Sequence, residues 1–113
     1  QDISSWNVSQ VRNMNQMFNT ATACNQNLLW DVAQVTSMHT MFFDAASLNK
    51  NISSWDVSRV KNMAFMFNAA SSFNQDISSW DVAQVTNMIY MFVGSAQEPE
   101  SCRIQACDCF DMC

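Results

Sequence analysis

Four of the five cysteines, Cys102, Cys107, Cys109 and Cys113, fall within the last twelve residues, just beyond Pro99. Thiols in a C-x4-C-x-C-x3-C run can pair into disulfides or bind a soft metal. The run lacks the paired C-x2-C knuckles of a zinc site, and the lone histidine, His39, is far away in sequence, so two disulfides in an oxidising compartment are the favoured reading. Three connectivities are open, and Cys107 and Cys109 are expected to bond outward rather than to each other. Cys24 falls at a position held elsewhere by Leu48 and Phe73 and reads as a buried, inert thiol.

Oxidising surroundings give meaning to two sequons, Asn7-Val8-Ser9 and Asn51-Ile52-Ser53, which make Asn7 and Asn51 glycosylation candidates at exposed turns or strand edges. Asp31, Asp56 and Asp81 recur at one position and invite calcium. One carboxylate per unit, without a Gly-rich Asp-x-Asp loop, is better read as a turn cap. Catalysis needs a nucleophile beside a base and an orienting group. A single histidine, no phosphate-cradling glycine loop and no nucleophile elbow argue that the chain is not an enzyme and uses no cofactor and no metal. His39 aligns with Asn15, Ala64 and Ile89 and reads as a solvated surface residue.

The chain of 113 residues is long enough for one modest core. Only 13% of it is charged and its net charge is −5, which excludes a protein that tracks phosphates with clustered Lys and Arg. No apolar run suits a membrane span, so neither nucleic acid nor membrane insertion is expected. Gln1 opens the sequence without a methionine or a leader-like stretch, which predicts a mature product or a fragment of a longer chain.

What must position these residues is a repeat. Trp6, Trp30, Trp55 and Trp80 mark its phase at spacings of 24, 25 and 25 residues, the second unit lacking one serine before its tryptophan. Val8/Val32/Val57/Val82, Val11/Val35/Val60/Val85, Met14/Met38/Met63/Met88, Met17/Met41/Met66/Met91 and Phe18/Phe42/Phe67/Phe92 recur in register, and the eight methionines of the repeats all read as core. A unit this short cannot bury its own apolar face, so stacking neighbours is expected. Ile-Ser-Ser-Trp-Asp predicts a short strand. Asn13, Ser37, Asn62 and Asn87 sit where they would cap a short helix through Met-x-x-Met-Phe, and Val-x-x-Val is left open between strand and turn. With one glycine and one proline in the chain, corners fall to Asn, Asp and Ser, with Asn25, Asn49 and Asn74 the candidate corner ladder.

Phe-Asn-Gln-Asp-Ile-Ser-Ser-Trp-Asp-Val, continued by Asn-Met-x-x-Met-Phe, resembles the BspA-like leucine-rich-repeat family of surface proteins over residues 1 to about 96. The resemblance implies an α/β repeat: a leucine-rich-repeat-like right-handed solenoid of four coils, each with one short parallel strand and one short helix. The domains expected are the solenoid, 1–96, with coils 1–25, 26–49, 50–74 and 75–96, and a disulfide-rich C-terminal cap or tail, 97–113. It also implies an extracellular or cell-surface location.

Function then follows from the ends and the variable positions. Gln1 enters in phase with Gln26, Lys50 and Gln75, leaving Trp6, Val8, Val11, Met14 and Phe18 without a cap. That predicts a structural solenoid assembling end to end into a fibre or surface array, with Ile3 and Trp6 as the assembly edge and other copies as partners. The second expectation is a surface adhesion or ligand-binding module from a longer repeat protein, with a host or cell-surface protein or glycan as partner. Phe65, Ile89 and Tyr90 are the binding-patch candidates because they differ between coils.

Overall fold

The computed structural model describes residues 2–96. The disulfide candidates Cys102, Cys107, Cys109 and Cys113 lie outside the described residues.

Each repeat is a chain of tight turns. The i to i+3 backbone hydrogen bond recurs at Ile-Ser-Ser-Trp (Trp55 N to Ile52 O, 3.1 Å), Val-x-x-Val (Val35 N to Val32 O, 2.9 Å), Met-x-x-Met (Met66 N to Met63 O, 3.1 Å) and Phe-x-x-Ala (Ala70 N to Phe67 O, 3.0 Å). Side-chain oxygens open several of these turns by accepting the N–H two residues on. Asp2 does so for Ser4, Asp31 for Ala33, Asp56 for Ser58, Asn62 for Ala64 and Asp81 for Ala83, at 2.9 to 3.1 Å.

The Met-x-x-Met-Phe segment is not helical. Gln16, Thr40, Phe65 and Tyr90 hold positive φ, as do Thr20, Asp44, Ala69 and Gly94 four residues later. A left-handed residue every fourth position interrupts any α-helix. Alternate N–H groups are thereby turned toward the following repeat. Met38, Thr40, Phe42 and Asp44 donate to the carbonyls of Asn62, Ala64, Met66 and Asn68 at 2.8 to 2.9 Å, and the same set recurs from the first repeat to the second and the third to the fourth. The isolated parallel bridges Asn13 to Ser37, Ser37 to Asn62 and Asn62 to Asn87 mark the register.

These observations correct the sequence reading. Among the described residues there is no helix and no strand beyond isolated bridges, so the leucine-rich-repeat-like solenoid with one strand and one helix per coil is overturned. Its period-3 apolar residues mark the corners of turns, and the Ile-Ser-Ser-Trp-Asp strand is itself a turn. The body measures 36 × 28 × 20 Å with a radius of gyration of 12.6 Å, close to the ~13 Å of a globular domain of about 100 residues. That outline removes the basis for an end-to-end fibre or surface array with other copies as partners. It also removes the adhesion module read from the same extended architecture, with its host or cell-surface protein or glycan partner.

The core is built from the recurring side chains. Phe18, Phe42, Phe67 and Phe92 stack at centroid separations of 5.5 to 5.6 Å, and Trp55 lies parallel to Trp80 at 6.4 Å. The buried indoles also find acceptors, as they must: Trp30, Trp55 and Trp80 donate Nε1–H to the carbonyls of Ile3, Leu28 and Ile52. Seven repeat methionines are buried, whereas Met17 is 38% exposed, because no earlier described segment lies over the first repeat. Val8, Met14 and Phe18, expected to be open at that end, are buried.

Candidate functional site

Two surfaces gather side chains that the turns place at the same position in successive repeats. On the first, Phe65 is the hub. Its ring meets Tyr90 edge to face at 5.5 Å, His39 at 6.2 Å and Phe43 at 6.5 Å with a 51° tilt. Tyr90 is 53% exposed, and Ile89 and Val93 beside it are exposed as well, while Phe43, Phe65 and His39 are half-buried. Phe65 and Tyr90 hold φ of 58° and 53°, a region that bulky side chains disfavour. Phe65, Ile89 and Tyr90 thus share one face with His39 and Phe43. By sequence His39 reads as a solvated residue on the rung of Ile89, and Phe43, on the rung of Val93, is not singled out.

His39 is not fully solvated. Its backbone N–H donates to Asn15 Oδ1 at 2.9 Å, its Nδ1 lies 3.4 Å from the Thr40 hydroxyl, and its ring edge abuts Phe65. Among the described residues no acidic side chain bonds to it. Cys24, read as buried, is half-buried against the core and free.

The second surface is polar and carries the Asp, Asn and Ser turns. Asn25, Asn49 and Asn74 form a side-chain ladder: Asn49 N–H donates to Asn25 Oδ1 at 2.9 Å and Asn74 N–H to Asn49 Oδ1 at 3.0 Å. The aspartates at the calcium position cap their own turns, and among the described residues no three His, Cys, Asp or Glu side chains converge on a metal-sized site. Ser58, first through its hydroxyl and then its N–H, holds the Asp56 carboxyl below the usual carboxylate value. Asp2 is lowered by the same two donors on Ser4, the N–H first. The sequon residues Asn7 and Asn51 are exposed, each accepting the N–H of the serine two residues on.

The assembly-edge candidates are satisfied within the chain. Ile3 N–H donates to Gln26 Oε1, its carbonyl accepts from Trp6 and Trp30, and its side chain packs on the core. Trp6 is 48% exposed on one face and stacks on Trp30 with the other.

Residues 1–103 match the family described as Mycoplasma protein of unknown function, DUF285. The chain belongs to the DUF285 family. No curated protein and no solved structure matches it. The DUF285 match, together with turns where strand–helix units were expected, replaces the resemblance to BspA-like leucine-rich-repeat proteins.

Proposed function

We propose that this DUF285 chain is a non-catalytic recognition domain of an extracellular compartment, taking an extended apolar peptide across the ring row of His39, Phe43, Phe65 and Tyr90. The observation that carries the reading is the row of contacting rings, with Tyr90 half exposed and Ile89 and Val93 exposed beside it. A left-handed backbone costs an L-residue about 1–2 kcal/mol, and Asn or Gly would relieve it. Phe65 and Tyr90 share that conformation with Gln16 and Thr40, so it belongs to the repeat, and only in the last two repeats does it carry aromatic rings. The rings contact one another at interplanar angles of 51° to 76° and form one apolar row. A row of that kind suits the alternating side chains of an extended peptide.

The test is to pan a displayed peptide library on the wild-type chain with counter-selection on Phe65→Asn/Tyr90→Asn. Both substitutions favour the observed φ, so the double variant should keep its melting temperature within a few degrees and lose the enriched peptides. Peptides that bind the variant equally well, or no enrichment at all, would refute the reading.

A further inference from the structure

The polar surface holds two openings of the same descent but different chemistry. The larger, about 400 Å³, is lined by Asp2, Ser4, Asn25, Gln26, Asn27 and Lys50; the smaller, about 280 Å³, by Asn51, Ser53, Gln75, Asp76, Ser78 and Ser79. The repeat register makes Asp2 equivalent to Asn51 and Asp76, and Lys50 equivalent to Gln26 and Gln75. The smaller opening draws on two repeats. The larger draws on three, and it lies where the second repeat has lost its serine: Leu28 and Leu29 stand in place of Ile-Ser-Ser before Trp30.

We infer that the larger opening is a binding notch for a free α-amino acid in its zwitterionic form. Asp2 and Lys50 line one cavity, which therefore presents a negative and a positive charge. A ligand with an ammonium and a carboxylate on one carbon answers both, and singly charged or neutral molecules answer at most one. The Asp2 carboxylate is ordered for this, since Ser4 N–H donates to Oδ1 at 2.9 Å and the Ser4 hydroxyl is a second donor to the group. Asn25 is ordered too, its Oδ1 being held by Asn49 N–H, and Asn27 and Ser4 complete a rim of donors and acceptors. The volume falls within the roughly 300–1,000 Å³ of small-molecule sites. The smaller opening has the amides, the hydroxyls and one carboxylate but no lysine, and serves as a control within the molecule.

The chain's own repeats supply the test variants. Asp2→Asn keeps the turn, because Asn51 makes the same bond to Ser53 N–H at 2.9 Å, and Lys50→Gln installs the residue found at positions 26 and 75. The experiment is an NMR titration of the whole chain with L-serine, and separately with acetate, methylammonium and methyl glucoside. L-Serine should give saturable shifts at the side-chain amides of Asn25 and Asn27 with a dissociation constant of about 1–10 mM, as expected for an open site. Either substitution should weaken it about tenfold with an unchanged thermal midpoint, and neither single-charge analogue should compete. The assignment is overturned if no saturation occurs, if acetate, methylammonium or the glucoside binds as tightly, if both variants bind like wild type, or if the Asn51 and Asp76 opening responds equally. The outcome is independent of the ring row, which lies on different residues.

Discussion

At the scale of single residues, the left-handed positions give the clearest expectations. Thr20, Asp44, Ala69 and Gly94 are equivalent, and glycine occupies only the last. Ala69→Gly removes a side chain that makes no hydrogen bond and should raise stability by about 0.5–1 kcal/mol in urea unfolding. A loss would show that the backbone at Ala69 is not left-handed in solution. Gly94→Ala should cost a similar amount, since its new Cβ would come 3.4 Å from the Ala69 backbone at a φ of +77°. The carboxylates carry a pH dependence of determinate sign. Asp56 is lowered in the folded state by Ser58, so its contribution is complete above the unfolded value of about 3.9 and is lost as pH falls through the folded value. An NMR titration should find its midpoint below 3.8, and Ser58→Ala should move that midpoint upward.

At the scale of elements, turns replaced the expected strand and helix, and the reason is legible in hindsight. Val8, Val11, Met14, Phe18, Ala21 and Cys24 are spaced by three or four, which suits one face of a helix and also the corners of successive turns. Propensity does not separate the two, because the choice depends on whether alternate N–H groups bond within the segment or to a neighbour. The neighbour wins here through bonds such as Phe42 N–H to Met66 O at 2.9 Å. The asparagine ladder belongs to the same scale. Asn49 Oδ1 accepts from Asn74 N–H and from Gln75 Nε2, both at the surface, so Asn49→Ala leaves these donors to water and should cost about 0.5–1.5 kcal/mol by chemical denaturation. Asn49→Asp, which keeps the acceptor, should cost less.

At the scale of the whole molecule, stability is concentrated in the middle repeats. Phe67 is fully buried and stacks on Phe42, Phe73 and Phe92, so Phe67→Ala should cost about 3–5 kcal/mol, enough to unfold a marginal domain. Trp6→Ala, at a half-exposed ring touching Trp30, should cost less than half of that by the same measurement. The compact outline predicts one sedimenting species across concentration. Growth with concentration would bring back the end-to-end assembly that the 36 × 28 × 20 Å body argues against.

The amino-acid sequence by itself determined which residues are equivalent, because identical chemistry every 24 or 25 positions can be counted without coordinates. It also determined that Asp and Asn would serve turns, since a short side-chain oxygen reaches the N–H two residues on in any context. Only the tertiary structure decided the conformation of those equivalent residues. A positive φ at Phe65 or Tyr90 is locally unfavourable and arises because bonds to the next repeat, or the register they impose, outweigh that cost. Tertiary structure alone also joined Asp2 to Lys50 across one opening and Phe65 to His39, Phe43 and Tyr90 in one row. Which side chains meet depends on how one repeat is offset against the next, and that offset is set by long-range hydrogen bonds and ring stacking rather than by any local run of residues.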